Sequence, residues 1–492
     1  MRERHGVQST PPNAGVLVAW AGLALAAPAA LAQTPFEVSE DGQFSATVRA
    51  GETAFGVRSA DTVPFGTNPD QEVTLRRQIG GVQIADMNDD GLNDVVAVVY
   101  ISNAFPPYTE FQDQILYGLG SAGIDLTPGW LSDDATHTGD VQIGDIDRDG
   151  FPDIVTIHGG SIRPDNVRVY YGGLAGPSTT AAYVSTTGPA AWGTAGDLVD
   201  FDNDGDLDLF TSNQGLSPDP LRPNFGFRNL SGSFATQPSW ISADSAVQNG
   251  VDAADINGDG WVDVAVAKGT NFVSGIYLGQ PDALPKTTPS LLLGPLEPDR
   301  TEADRGAVFA DFDQDGDQDI FFNGRPGELY DTTGFELISS YMTMPPFESP
   351  QETRAFDVDG DGDLDLAEVH FSDGRAHIYL NRGGVLDAAP SWTYDAPQVG
   401  TSLAFGDVNN DGRPDLVVGY AGDVSLRVFF AEVVCEGDAN GDGVTNADDL
   451  LVVLGNFGDA VPGGADDGDF DQSGIVNADD LLVVLGAFGC TG

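Results

Sequence analysis

The chain has 492 residues, more than one hydrophobic core usually holds unless the fold is built from repeats. Its formal net charge is −55 at pH 7, from 76 acidic and 21 basic residues. A surface this acidic repels nucleic acid and anionic membranes, so we expect neither as a partner. The charge is either a generally solvated surface or a set of carboxylates gathered around cations, and the positions of the aspartates distinguish the two.

Residues 1–32 have the pattern of a secretory signal peptide. Arg2 and Arg4 precede an apolar stretch over residues 16–31, and small residues at 30–32 provide a cleavage site before Gln33. No later run of about 18 apolar residues occurs, as a membrane-spanning helix would require. We therefore predict a secreted protein, extracellular or at the cell surface, without a membrane span.

An aspartate pattern, Asp-x-(Asp/Asn)-x-Asp-Gly-x-x-Asp, occurs seven times at fairly regular intervals along the chain. Calcium prefers six to eight oxygen ligands, and side chains on alternate residues of a tight loop can converge on one ion. Glycine at position six permits the turn. The predicted ligands at positions one, three, five and nine are Asp86, Asn88, Asp90 and Asp94; Asp145, Asp147, Asp149 and Asp153; Asp200, Asp202, Asp204 and Asp208; Asp255, Asn257, Asp259 and Asp263; Asp311, Asp313, Asp315 and Asp319; Asp357, Asp359, Asp361 and Asp365; and Asp407, Asn409, Asp411 and Asp415.

The segments around these loops predict strands rather than helices. An EF-hand needs an acidic residue at position twelve, where the first three loops have Ala97, Thr156 and Thr211. Short β-branched runs precede and follow each loop, and third and fourth strand patterns follow at fairly regular distances. Four strands per unit, with a period of about 50 to 60 residues, is typical of a β-propeller.

Over about residues 35–433 the loops and their flanking strands resemble FG-GAP/VCBS repeats, as in the heads of integrin α chains and many exported bacterial proteins. The resemblance implies a mainly β fold, a seven-bladed propeller over residues 33–434, with calcium between the first two strands of each blade. The seventh unit ends after its third strand, near Ala431, so we predict that an N-terminal strand at residues 43–49 completes it. The chain has no Arg-Gly-Asp tripeptide and no inserted metal-dependent domain.

Residues 435–492 contain two loops of a different kind, in which an acidic residue stands at position twelve and a helical pattern follows. This segment resembles a type I dockerin, a small all-α, duplicated EF-hand-like module that binds two calcium ions and docks onto cohesin domains. The resemblance implies the ligands Asp438, Asn440, Asp442 and Asp449, and Asp469, Asp471, Ser473 and Asp480.

The dockerins of the best-known cohesins carry hydroxylated or basic residues at loop positions ten and eleven. This chain has Ala447 and Asp448 in the first loop and Ala478 and Asp479 in the second, so we do not expect the same cohesin specificity. The alternative is a calcium-folded C-terminal cap without a partner.

The two cysteines of the chain, Cys435 and Cys490, bracket this C-terminal segment. In an exported protein the pair predicts one disulfide that closes the module. The alternative is a pair of buried thiols.

Three functions remain open. A module that binds protein or carbohydrate would use exposed aromatic residues. The candidates are Phe105, Tyr108, Trp192, Trp240 and Trp392, and ordinary packing between blades is the alternative for each.

An enzyme would be a polysaccharide lyase or glycoside hydrolase. The histidines outside the predicted signal, His137, His158, His370 and His377, form no metalloprotease motif, and we assign no catalytic residue. His158 and His370 follow strands at comparable places, which favours strand-end side chains over catalytic bases. The third function is a purely structural surface protein. We favour binding, with about seven calcium ions in the propeller and two in the C-terminal module.

Overall fold

The computed structural model describes residues 62–100, 111–158, 167–186, 192–214, 221–269, 272–281, 284–293, 304–324, 327–331, 336–341, 350–432, 435, 437–440, 444–459, 468–470 and 474–490. All of them belong to one unit, Val38–Gly492. The predicted signal peptide lies outside the described residues.

Five sheets each contain four consecutive antiparallel strands connected as a meander. The first sheet comprises β6 (Thr138–Gly144), β7 (Asp153–His158), β8 (Val167–Tyr170) and β9 (Tyr183–Val184). The second comprises β10 (Trp192–Val199), β11 (Asp208–Gln214), β12 (Phe225–Phe227) and β13 (Trp240–Ile241). The third comprises β14 (Gln248–Ala254), β15 (Asp263–Lys268), β16 (Ser274–Tyr277) and β17 (Leu291–Leu293). The fourth comprises β18 (Ala307–Ala310), β19 (Asp319–Phe322), β20 (Gly327–Asp331) and β21 (Glu336–Tyr341). The fifth comprises β22 (Pro350–Phe356), β23 (Asp365–His370), β24 (Arg375–Tyr379) and β25 (Trp392–Asp395).

The other eight strands form one continuous sheet, in the order β1-β28-β27-β2-β3-β4-β5 with β26 paired to β27. Its strands are β1 (Gln71–Val73), β2 (Arg77–Ala85), β3 (Asp94–Val99), β4 (Phe111–Leu116), β5 (Trp130–Thr136), β26 (Val399–Gly406), β27 (Asp415–Gly422) and β28 (Leu426–Phe429).

The prediction of seven separate blades is therefore wrong, because the described residues form five separate four-stranded sheets. The sequence pattern of the first and last loops is present, but their strands merge into the eight-stranded sheet. The merger occurs because β27 is eight residues long, whereas β3 and β23 have six. The two additional residues reach β2, where Arg77 pairs with Gly422 and Gln78 with Ala421.

An N-terminal strand does complete the last group of strands, but it is β1, at residues 71–73. β1 pairs with β28 in antiparallel register, and Phe65 forms an isolated bridge with Ala431. Residues 43–49, which we predicted for this position, lie outside the described residues. The pairing covers an edge of β28 that would otherwise offer unpaired backbone groups.

The second strand of each sheet is deeply buried. All six residues of β3, β7, β15 and β23 are buried, including polar ones. Clusters of buried apolar side chains join neighbouring sheets, for example Val155 and Ile157 of β7 with Leu209 of β11. Strands covered on both faces read as continuous apolar runs, which explains why sequence alternation is weak there.

The C-terminal segment contains two short α-helices, α1 (Ala447–Gly455) and α2 (Ala478–Gly486). Val453, Val476 and Val484 form its small core. The predicted disulfide is confirmed, since Cys435 and Cys490 are bonded with their Cα atoms 5.5 Å apart. Across the described residues, no helix has the length and apolar character needed to cross a membrane.

Candidate metal centres

Every one of the seven predicted loops joins the first and second strands of a repeat. The first loop shows the arrangement: Asp86 directly follows β2, and Asp94, at position nine, is the first residue of β3. The other six loops have the same placement relative to their strands. The expectation that each loop connects two strands is therefore met.

The backbone of the loops is the same in all seven copies. The glycine at position six has a φ of 84° to 100°, the left-handed region in which a side chain is strained. Its N–H donates to the carboxylate at position one over 2.7 to 3.2 Å. The first aspartate thus holds the turn closed.

Position four is also left-handed in all seven loops, with φ between 57° and 78°, which we did not predict. The signal was available in the sequence, because asparagine, aspartate and glycine tolerate this conformation best. They occupy five of the seven copies: Asp89, Asn203, Gly258, Gly360 and Asn410.

The carboxylates converge in the loops that have aspartate at position three. Four groups of three predicted ligands have oxygen atoms within 4.8 Å of one another: Asp145, Asp147 and Asp153; Asp200, Asp202 and Asp208; Asp311, Asp313 and Asp315; and Asp357, Asp359 and Asp361. A fifth group adjoins the third of these and joins Asp317 and Asp319 to Asp331. These carboxylates repel each other unless protons or cations lie between them.

The donor set fits a hard cation such as calcium. The donors are carboxylate and amide oxygens, which Ca²⁺ prefers. Oδ1 of Asp311 is buried and accepts no hydrogen bond from the described residues. Leaving such acceptors unsatisfied costs free energy, and an ion in the loop would remove that cost.

The aspartate at position nine has a structural role that the sequence pattern did not reveal. In six loops its Oδ2 accepts the N–H of position two over 2.8 to 3.3 Å. In six loops its Oδ1 accepts an N–H two residues beyond the third strand, over 2.6 to 2.8 Å. This side chain therefore ties the loop to the third strand.

Burial raises the pKa of all seven ninth-position carboxyls. The pKa is about 8 for Asp208 and about 7 for Asp94, Asp153, Asp263, Asp319, Asp365 and Asp415. For Asp94, loss of hydration is the largest cause, and backbone hydrogen bonds oppose it in part. The negative charges of Asp90 and Asp86, at positions five and one of the same loop, raise the pKa of Asp94 further.

Neighbouring loops contact one another through position four. The Arg148 guanidinium lies 2.7 Å from the Asp206 carboxylate of the next loop. Asn203 Nδ2 donates to the Gly260 carbonyl over 2.7 Å, one loop further on. The left-handed backbone at position four directs these side chains toward the adjacent loop.

Two loops have an arginine against their carboxylates. The Arg228 guanidinium contacts the Asp202 carboxylate and lies 3.5 Å from that of Asp204. In the last loop, Arg413 Nη2 lies 2.7 Å from Asp411 Oδ2. These contacts neutralise part of the charge in two loops, and the sequence pattern did not predict them.

The C-terminal loops resemble each other in the part that the structure describes. The position-twelve residues Asp449 and Asp480 are buried, and each accepts an N–H from the asparagine just before its helix, over 2.7 and 2.8 Å. Among the described residues, Oδ1 of Asp469 is buried and has no hydrogen-bond partner. Asp442, Asp471 and Ser473 lie outside the described residues.

Two of the aromatic candidates for a ligand face do not form one. Trp240 and Trp392 are buried, and their Nε1 atoms donate to backbone carbonyls at Pro285 and Gly66. The alternative, packing between strands, is the correct interpretation for both, because a buried indole needs a partner for its N–H. Phe105 and Tyr108 and the Trp192 side chain lie outside the described residues.

The four histidines outside the predicted signal peptide are buried. His158 and His370 are the last residues of β7 and β23. His137 is next to the start of β6, and His377 lies in β24.

Comparison with known proteins supports the fold. A family model described as FG-GAP-like repeat matches residues 357–418, from the sixth loop into β27. No curated protein sequence matches the chain.

Solved structures resemble it at low identity. The crystal structure of BBS1N in complex with ARL6DN, soaked with lead, has a TM-score of 0.50 at 12% identity, covering 77% of this chain and 100% of that one. The same complex soaked with mercury has a TM-score of 0.49 at 12% identity, with 76% and 98% covered. The computationally designed Ika8 protein has a TM-score of 0.43 at 9% identity, with 74% and 99% covered. The sheets described above and the family match define a β-propeller that contains FG-GAP-like repeat sequence.

Proposed function

We propose that the protein is a secreted calcium-binding protein whose propeller binds a protein or carbohydrate ligand and whose C-terminal module is a dockerin that docks onto a partner such as a cohesin. FG-GAP-like sequence on a propeller supports a binding role. The observation that carries the calcium proposal is the common geometry of the seven loops, with position-one carboxylates held by the glycine N–H and further oxygens converging in four of them.

Charge supports the same conclusion. A net charge of −55 makes the folded chain repel itself, and the loops concentrate this charge in a few places. Divalent ions in the loops would relieve the repulsion, so ion binding is coupled to folding. An extracellular location fits this proposal, because extracellular modules bind calcium with Kd values of about 10⁻⁴ to 10⁻³ M.

The test is a calcium titration of the purified mature chain by calorimetry, with metal content measured in parallel. We expect about nine Ca²⁺ per chain, as the loops would provide, and a lower melting temperature in EGTA. Asp90→Asn, at a ligand position of the first loop, should weaken one site. Asp89→Asn is the matched control, because it removes the same charge at a neighbouring position that is not a predicted ligand. A titration without calcium uptake would refute the proposal.

The docking proposal is supported by two equivalent apolar surfaces. On α1 and just after it, Leu451, Leu454 and Phe457 are 64%, 50% and 50% exposed. Their counterparts on α2 and just after it, Leu482, Leu485 and Phe488, are 64%, 50% and 52% exposed. Exposed apolar side chains repeated on both halves of a small module mark a surface that a partner covers.

Docking is tested by surface plasmon resonance against a panel of immobilised cohesin domains. We expect either half to suffice, so Leu451→Asp or Leu482→Asp alone should retain binding and the double variant should lose it by at least about tenfold. Leu174→Asp, an exposed leucine of the propeller, is the control. If no cohesin binds the wild type, or if the double variant binds equally well, the helices are not the docking surface.

The propeller ligand is sought on a glycan array in the presence of calcium. A companion assay of polysaccharide turnover tests the alternative function, a lyase or glycoside hydrolase. Loss of glycan binding in EGTA would show that the ligand site depends on bound calcium.

A further inference from the structure

Three chemically reactive side chains lie together in the interior of the β22–β25 sheet. Glu368 and His370 are on β23, and His377 is on β24. Their exposures are 0%, 0% and 1%. Glu368 and His377 are directly paired across the two strands, and His370 is two residues from Glu368, so all three side chains leave the same face of the sheet.

Two members of the trio contain polar atoms that no group of the described residues satisfies. Within that part of the chain, neither carboxylate oxygen of Glu368 forms a hydrogen bond, and neither does Nε2 of His377. His370 Nε2 is 3.7 Å from Glu368 Oε2, beyond hydrogen-bond distance, and the two imidazole rings are 4.7 Å apart between centroids. A buried carboxylate with no donor is costly, and such a group calls for a water or an ion.

The hydrogen bonding of His377 is compatible with metal binding. Its Nδ1 is 2.9 Å from Thr393 Oγ1, which fixes the ring and leaves Nε2 directed elsewhere. Histidines that bind metals generally use one ring nitrogen for the ion and the other for such an orienting hydrogen bond.

The β6–β9 sheet shows how the same three positions look when protein groups satisfy them. There the equivalents are Thr156, His158 and Arg168. Thr156 Oγ1 is 2.7 Å from His158 Nε2, and Arg168 forms an ion pair with Asp134. The unsatisfied atoms are therefore particular to Glu368 and His377 and not a consequence of this place in the fold.

We propose that Glu368, His370 and His377 form a binding site for a transition-metal ion of the zinc class. Two imidazoles and one carboxylate suit Zn²⁺ and its neighbours, whereas calcium prefers oxygen ligands throughout. The site is thus chemically distinct from the aspartate loops and independent of them. Among the described residues, the groups of acidic or histidine side chains with three ligand atoms within 4.8 Å of one another lie in or beside the aspartate loops. The trio is not one of these groups, so its side chains must rotate to bind one ion. The paired backbone of β23 and β24 keeps the three Cα positions fixed while it does so.

The test uses the full mature chain produced with added Zn²⁺ and then transferred to calcium buffer without zinc. We expect about one Zn²⁺ per chain by mass spectrometry, since a buried ion exchanges slowly, and visible d–d absorption when Co²⁺ replaces zinc. Glu368→Gln and His377→Gln should each lower the zinc content at least tenfold without changing calcium uptake. His158→Gln, at the position equivalent to His370 in the β6–β9 sheet, is the matched control and should retain the zinc.

If the two variants do not fold, zinc X-ray absorption of the wild type decides the matter, because it should show two imidazole ligands and oxygen. A folded wild type with less than a tenth of an equivalent of zinc and no cobalt absorption would overturn the proposal. Equal zinc loss in the His158→Gln variant would overturn it too.

Discussion

The aspartate residues of the repeated pattern have two different physical roles. The aspartates at positions one, three and five lie in the turn, at the proposed ion site. The aspartate at position nine is buried, with its oxygens bonded to the backbone of its own loop and to the chain just beyond the third strand. Spacing predicts that all four are ligands, and burial and backbone hydrogen bonds give position nine an additional structural role, even in the loops where Asp153 and Asp208 converge with the other carboxylates.

This division predicts different behaviour for two variants of the sixth loop. Asp365→Ala leaves two buried N–H groups, those of Val358 and Asn381, without an acceptor, so it should lower the free energy of unfolding by about 3 kcal/mol even in EGTA. Asp361→Ala, at the exposed fifth position, should matter in calcium and have little effect in EGTA. Urea unfolding in both buffers measures this. Equal losses for the two variants in EGTA would show that position nine acts only through the ion.

The histidines show what a local sequence pattern predicts and what it leaves open. The sequence presents His158 and His370 as equivalent strand-end residues, and in the fold they are equivalent. Their surroundings differ because Thr156 stands where the other sheet has Glu368. Two differences, at the position two residues earlier and at its partner on the next strand, therefore separate a histidine bonded to threonine from one that lies in the trio with Glu368 and His377.

For the strands, the sequence pattern located the loops and their flanking segments but not the pairing between distant parts of the chain. The β1 strand is three residues long and has no strong strand signal, yet it pairs with β28, the last strand of the propeller. Backbone pairing at an open edge accepts almost any sequence, so tertiary position decides which segment fills it.

The pairing of β1 with β28 predicts a stability effect far from any loop. Val73 is fully buried in β1 and packs with β27 and β28 residues, so Val73→Ala should lower the free energy of unfolding by about 2 kcal/mol. Leu292→Ala on β17 is the control, because Leu292 is an exposed residue of another outer strand. The two variants are compared by thermal and urea unfolding. If both are equally harmless, β1 does not hold the end of the propeller.

For the protein as a whole, many of the acidic residues lie in the repeated loops of the propeller. Seven loops of the same backbone geometry carry the repeated aspartates, and contacts through Arg148 and Asn203 connect neighbouring loops. We therefore expect ion uptake at one loop to order a segment that its neighbour contacts. The merged eight-stranded sheet joins the first and last groups of strands, so the N-terminal and C-terminal parts of the propeller share backbone pairing.

Local sequence was enough to predict the β-rich repeat, the seven loops with their glycine turns, and the cysteine pair that closes the C-terminal segment. These depend on local chemistry: oxygen donors on alternate residues, a glycine where φ is positive, and a thiol at each end. Packing between distant segments settled that five sheets are separate while two groups merge, and that residues 71–73 complete the last group. It also placed Trp240 and Trp392 in the interior, bonded the ninth aspartates to backbone, and gathered Glu368, His370 and His377. These outcomes depend on which distant segments meet, and a local pattern carries no information about contacts between opposite ends of the chain.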